Sequence, residues 1–116
     1  MEPEIRPIHE PDLGEGDRIF RLSFGTFLEL ADPMSFFGDT DYIRTRFRAC
    51  PSLSLAAEID GNFVGSNFIA NWGSVGIFGP LTVHPDYWDK GIAKSLLDRT
   101  MEIFKELRTR HIGLFT

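Results

Sequence analysis

The spacing of apolar residues in the first half of the chain predicts one strand followed by two helices. Ile5–Ile8 alternates apolar with polar residues, and the neighbouring prolines suit an edge strand because proline has no backbone N–H to donate. Phenylalanine and leucine then recur at helical spacing at positions 20, 24, 27 and 28, which predicts an amphipathic helix from Asp17 to about Ala31. A second helix is predicted from Asp39 or Thr40 to about Ala49, before Cys50-Pro51 ends it.

After Pro51 the apolar period changes to two, which predicts a three-strand meander. Leu53–Ile59 and Phe63–Ile69 flank the turn residues Asp60-Gly61-Asn62 and should pair as an antiparallel hairpin. A third strand is predicted over Val75–Val83, interrupted by Gly79-Pro80. Because proline cannot donate to a strand ladder, we expect the strand to splay away from a neighbour at this point.

The last third of the chain predicts a strand end, a turn, a helix and one more strand. The turn follows Val83, and the helix begins after Gly91 with apolar residues at i, i+3, i+4 and i+7 spacing. His111–Thr116 should form a strand parallel to the one before the helix. Together these elements predict a mixed α/β fold in the order β-α-α-β-β-β-α-β, with a mostly antiparallel sheet splayed at the fourth strand.

Length, charge and cysteine content narrow the function classes. A chain of 116 residues that is 42% hydrophobic predicts a single domain over residues 1–116. The net charge of −5 argues against broad binding of nucleic acid or of anionic membranes. Cys50 is the only cysteine, which excludes an internal disulfide and suits a reducing cytoplasm, and no apolar run is long enough to span a membrane. The three histidines are widely separated, so we expect no metal.

The segment from the splayed strand to the helix start predicts a binding site for an anion with an extended arm. The first N–H groups of a helix have no partners within the helix, and they favour anions such as phosphates. Lys90-Gly91-Ile92-Ala93 would form the cradle, with Lys90 and Lys94 adding local positive charge. A splayed strand offers backbone groups to an extended ligand. The alternative is a strand, turn and helix that only pack together.

The order of elements and this segment together resemble the GCN5-related N-acetyltransferase (GNAT) family over essentially the whole chain. The family pattern is Arg or Gln, two residues, Gly, one residue, then Gly or Ala, and it matches Trp88 through Ala93 except that Trp88 replaces the Arg or Gln. The resemblance implies an acyl-CoA N-acyltransferase-like fold with acetyl-CoA as acetyl donor. It implies that the backbones of Leu81 and Val83 bond the pantetheine arm and that residues 89–94 hold the pyrophosphate. The cofactor-binding residues expected in this way are Leu81, Thr82, Val83, Trp88, Asp89, Lys90, Gly91, Ile92, Ala93 and Lys94.

The resemblance also implies an N-acetyltransferase in which an amine attacks the thioester directly, with a small-molecule or peptide amine as acceptor. We leave the catalytic residues unassigned. Glu58 and Asp60 are more typical of solvated strand ends, and His84 of a capping histidine before proline. In many relatives a tyrosine beyond the last strand protonates the leaving thiolate, and that position would follow Thr116.

Three interpretations therefore stay open from the sequence. The chain is an N-acetyltransferase, a non-catalytic acyl-CoA binding or interaction module, or a part of a longer acetyltransferase whose C-terminal helix and strands follow Thr116. An exposed last strand favours either a longer native chain or a homodimer formed by strand pairing. The phenylalanine-rich first helix and the loop Met34–Gly38 would line the entrance for the acceptor.

Overall fold

The structure is a computed structural model that describes residues 2–38 and 40–114. The helices are α1 (Leu13–Phe27), α2 (Tyr42–Ala49) and α3 (Ile92–Glu106). The strands are β1 (Glu4–Pro7), β2 (Leu55–Ile59), β3 (Asn62–Asn67), β4 (Ile69–Trp72), β5 (Val75–Phe78), β6 (Thr82–Val83) and β7 (His111–Leu114). Asp39, one of the two expected starts of the second helix, and the last two residues of the expected final strand lie outside the described residues. No helix in residues 2–38 and 40–114 is long and apolar enough to cross a membrane.

The strands form two sheets, and the mixed α/β fold class predicted from the sequence is confirmed. The first sheet has the order β1-β2-β3-β6 and is antiparallel throughout. The second has the order β4-β5-β7, with β4 antiparallel and β7 parallel to β5. The parallel pairing of β5 with β7 follows from the helix between them, as the sequence indicated.

The chain crosses from one sheet to the other at two breaks that face each other. The break at Gly79-Pro80 separates β5 from β6, as the missing proline N–H predicted. A second break, at Phe68, divides the expected strand Phe63–Ile69 into β3 and β4. The Gly79 N–H donates to the Phe68 carbonyl at 2.7 Å. The two breaks therefore bond to each other where the sheets part.

Helix α1 begins at Leu13 rather than at the expected Asp17. Gly14 and Gly16, which precede the expected start, both lie within the helix. A Cβ added at Gly16 would be 3.6 Å from the side chains of Ile43 and Phe63, so the small residue lets α1 pack closely on α2 and β3. Tertiary packing here outweighs the low helix propensity of glycine.

The core lies on both faces of the first sheet. Successive residues of β2 point to opposite faces, so Leu55 and Ala57 pack with α3 while Ala56 packs with α1 and α2. On the α3 face, Leu96 and Phe104 are fully buried. This packing fixes the start of α3 against β6, which is what positions the site described below.

Arg6 joins β1, β2 and the start of α1 through ion pairs. Its Nε donates to Glu58 Oε1 at 2.5 Å, and its two terminal nitrogens donate to Asp12 at 2.8 and 3.0 Å. The Asp12 carboxylate also accepts the His9 N–H at 2.8 Å. The hydrogen bonds from Arg6, opposed by partial burial, hold the pKa of Asp12 below its usual value.

We expect Asp12→Asn to lower the free energy of unfolding at pH 7 by about 1 kcal/mol, since it removes a charge-assisted hydrogen bond from a half-buried group. A depressed carboxyl pKa stabilises the fold above the unfolded-state pKa near 4, and this stabilisation is lost as the pH falls through the folded-state pKa. Urea denaturation of both proteins at pH 7 and pH 3 should therefore show a difference that shrinks at pH 3. Asp98→Asn, which removes an exposed pair with Lys94, is the control and should change little. A difference for Asp12→Asn that is the same at both pH values would contradict the account.

Candidate cofactor-binding site

A gap opens between the two sheets at the break before β6. β5 stays paired with β7 as far as Phe78 opposite Leu114. The chain then turns away, and β6 pairs with β3 in the other sheet, where Thr82 lies opposite Ser66. The splay expected at the fourth strand is thus present, and one edge of β6 faces the gap.

The backbone of Val83 is directed into this gap. The His84 N–H donates to the Val64 carbonyl of β3 at 2.8 Å, and the Thr82 carbonyl lies beside Gly65 of the same strand. Backbone groups alternate in direction along a strand, so those of Val83 point away from β3. The backbone of Thr82, in contrast, faces β3. Its side-chain hydroxyl also contacts β3, because it lies 3.4 Å from the hydroxyl of Ser66.

Helix α3 begins beside the gap with unpartnered N–H groups. The first hydrogen bond of the helix joins the Ser95 N–H to the Gly91 carbonyl at 3.1 Å. The N–H groups of residues 92–94 precede it, so they have no acceptor within the helix. The residue before the helix is Gly91, which has φ +80°. Because glycine has no side chain, it cannot cap the first N–H groups. A Cβ added there would meet nothing within 4 Å. The mouth of the helix is therefore open to a ligand, and its dipole favours an anion.

One cavity of about 340 Å³ joins the Val83 end of β6 to the helix mouth, and none of its lining residues in the described part of the chain comes from the second sheet. Six of the residues expected from the sequence line it, and they are Val83, Trp88, Asp89, Gly91, Ile92 and Ala93. Tyr87 lines it as well, which the sequence did not indicate. Four expected residues do not line the cavity: Leu81, Thr82, Lys90 and Lys94. Of these, Lys94 pairs with Asp98 at 2.7 Å, and Lys90 is exposed.

Arg46 of α2 contacts the break where the gap begins. Its Nε and Nη2 donate to the Gly79 carbonyl at 3.1 and 2.9 Å. Arginines recur at positions 44, 46 and 48, and this two-residue spacing distributes them around the helix and does not indicate the contact. Only the fold brings α2 against a carbonyl that lies 33 positions further along the chain.

The candidate catalytic groups are held in structural roles. The Glu58 carboxylate pairs with Arg6, and Asp60 is exposed at the tip of the β2–β3 hairpin. The His84 Nδ1 accepts the Asp86 N–H at 3.1 Å, so it caps the short 3-10 turn Pro85–Tyr87. Asp60 and His84 lie as the sequence interpretation expected, whereas Glu58, expected to be a solvated strand end, is partly buried in its ion pair with Arg6. In the part of the chain that the structure describes, no three His, Cys, Asp or Glu residues are grouped so that they could hold a metal ion.

Comparison with known proteins identifies the class. The family model described as the acetyltransferase (GNAT) family matches residues 18–116. The chain belongs to this family, as the sequence resemblance indicated. No curated protein sequence matches the chain significantly.

Solved structures share the fold over nearly the whole chain. A protein from Pyrococcus horikoshii superposes with a TM-score of 0.79 at 18% identity, covering 97% of this chain and 77% of that one. A GNAT family acetyltransferase from Brucella melitensis, solved with acetyl-CoA, gives 0.74 at 22% identity over 99% and 76%. The ribosomal-protein-alanine N-acetyltransferase from Brucella melitensis biovar Abortus gives 0.67 at 25% identity over 99% and 80%.

Proposed function

We propose that this chain binds acetyl-CoA and transfers its acetyl group to an amine. The observation that carries the proposal is the single cavity that joins the mouth of α3 to the open edge of β6. An elongated ligand with a diphosphate needs both parts, whereas a simple phosphate would need only the helix mouth. When bound, acetyl-CoA supplies an acetyl group that the thioester activates toward an amine.

In this proposal the chain's own residues bind and orient the donor. The N–H groups of residues 92–94 hold the diphosphate, and the absence of a side chain at Gly91 lets it approach the backbone. Lys90 and Lys94 carry positive charge at or next to these residues in the chain, although neither lines the cavity and Lys94 pairs with Asp98. The backbone groups of Val83, and those of Leu81 two residues earlier, hold the extended arm as an added strand would. Arg46, through the Gly79 carbonyl, fixes the break from which the open edge starts.

The acceptor would enter beside the segment between α1 and α2. Arg21 holds this segment by donating to the carbonyls of Phe36, Gly38 and Thr40, while its Nε pairs with Asp17 at 2.9 Å. Apolar residues at its surface, such as Met34 and Phe37, are partly exposed, at 41% and 46% of their surfaces. This surface suits an amine that carries apolar groups, and the acceptor would be a small molecule or a peptide.

A second candidate function is a non-catalytic acyl-CoA binding module. The observation that favours it is the position of the candidate bases. Glu58 is paired with Arg6, His84 accepts a backbone N–H through Nδ1, and Val75–Val83 contains no carboxylate. An attacking amine must lose a proton, and these groups are not placed to accept it.

An assay of coenzyme A thiol release with acetyl-CoA over a panel of amines separates the two functions. We expect turnover with at least one amine, and we expect binding of acetyl-CoA to be detectable by calorimetry without any amine. Binding with no thiol release above the hydrolysis background for any amine, including N-terminal peptides and polyamines, would favour the binding module. Failure to bind acetyl-CoA at all would rule out both.

A further inference from the structure

The carbonyl of Val83 that faces the gap is already occupied by a side chain of the same chain. The Trp88 indole Nε1–H donates to the Val83 carbonyl oxygen at 2.7 Å. The indole lines the same cavity as Val83 and the helix mouth, and 37% of the Trp88 surface is exposed. The contact joins two residues only five positions apart, both within the candidate site.

The turn between β6 and α3 holds the indole in this position. The Tyr87 N–H donates to the His84 carbonyl at 2.8 Å, and the Trp88 N–H donates to the Pro85 carbonyl at 3.2 Å. His84 caps the same turn through Nδ1. The chain therefore reverses direction after β6, and this turn places the Trp88 side chain against Val83 at the end of that strand.

We propose that the Trp88 indole competes with the arm of coenzyme A for the Val83 carbonyl, so that the indole moves away from Val83 when the arm binds. This inference rests on the proposed function. A strand edge gives an extended ligand its affinity through main-chain hydrogen bonds, and here the carbonyl of the edge residue Val83 is taken by Trp88. The indole ring also lines the cavity that the arm would enter.

The residue type at this position determines which bonds its side chain can form. Arginine and glutamine carry several donors, whereas tryptophan has one, the indole N–H. That single donor is hydrogen-bonded to the Val83 carbonyl, so it cannot also bond a phosphate. Trp88 therefore affects the part of the site that binds the arm, and the diphosphate is bound by the N–H groups at the start of α3.

Trp88→Phe tests the proposal, because phenylalanine keeps an aromatic ring and removes the donor. A neutral hydrogen bond of this kind changes an equilibrium by about two- to tenfold, so we expect Trp88→Phe to bind coenzyme A about two- to tenfold more tightly than the unchanged chain in calorimetry. Equal or weaker binding by a folded Trp88→Phe chain would overturn the proposal and leave the proposed function standing. No binding by either chain would overturn both.

The indole N–H signals give a second readout that needs no change at Trp88. The chain has two tryptophans, and Trp72→Phe assigns the signals and serves as the control, since Trp72 lies outside the cavity and 64% of its surface is exposed. We expect the Trp88 indole N–H to exchange slowly with water in the free protein and faster when coenzyme A saturates it. An indole N–H that stays equally protected at saturation would show that the Val83 bond persists, and this would overturn the proposal.

Discussion

Gly91→Val should weaken the binding of acetyl-CoA at least about tenfold, a loss of about 1.4 kcal/mol or more of binding free energy. Gly91 has φ +80°, a conformation that a β-branched residue rarely adopts, and it lies directly before the N–H groups at the start of α3. The valine methyl groups would stand in the open space of the helix mouth, where a Cβ meets nothing of the protein. Titration calorimetry with acetyl-CoA measures the loss.

Gly73→Val is the matched control for this prediction. Gly73 has φ +65° in the turn between β4 and β5, and a Cβ there also meets nothing within 4 Å. Both substitutions should therefore cost a similar amount of stability, about 1–3 kcal/mol, through backbone strain. Only Gly91→Val should weaken ligand binding. Equal affinities for the two variants would show that the anion cradle is elsewhere.

Gly25→Ala should lower the free energy of unfolding by about 3 kcal/mol, at the upper end of the usual penalty for overpacking. A Cβ added at Gly25 of α1 would be 2.2 Å from the Pro33 carbonyl oxygen and 2.5 Å from the Pro33 Cα. These are backbone atoms, so they cannot turn aside as the end of a flexible side chain could. The segment after α1 would have to separate from the helix. Urea denaturation measures the change.

Gly14→Ala, in the same helix, is the control for Gly25→Ala. A Cβ at Gly14 meets nothing within 4 Å, and the position is exposed. Alanine has the higher helix propensity, so Gly14→Ala should leave stability unchanged or raise it by up to about 1 kcal/mol. If Gly25→Ala were as stable as Gly14→Ala, the close approach of α1 and Pro33 would be wrong.

The sequence predicted those parts of the fold that depend on local chemistry. The turn at Asp60-Gly61 was predictable because Asp-Gly is a favoured pair for a two-residue hairpin loop, and both residues adopt the positive φ that such a loop requires. The break at Gly79-Pro80 was predictable because proline lacks a donor. The start of α3 after Gly91 was predictable because the apolar period restarts there. These three features place the backbone of the candidate site.

The features that the sequence did not predict depend on contacts between distant residues. Phe63–Ile69 is one strand in the sequence prediction, but the strand breaks at Phe68, whose carbonyl accepts the Gly79 N–H from the break between β5 and β6. The contact of Arg46 with the Gly79 carbonyl needs α2 to pack against the same break. The departure of Trp88 from the family pattern was visible in the sequence, whereas its bond to Val83 requires the turn geometry.

The catalytic group stays unassigned for a physical reason. Glu58 is a carboxylate on a strand next to the hairpin turn, which is compatible with either a base or a solvated strand end. Its ion pair with Arg6, a residue 52 positions away, makes it part of the N-terminal network instead. A sequence pattern cannot show which of several carboxylates meets an arginine, because that depends on how β1 pairs with β2.

An amide NMR titration with acetyl-CoA tests the central claim most directly. We predict that the largest shift changes fall on the amides of residues 90–94 and of Val83, while the amides of Gly61 and Gly73, in hairpin turns outside the cavity, stay in place. No shift change at saturating acetyl-CoA, or changes that leave residues 90–94 unaffected, would contradict the account.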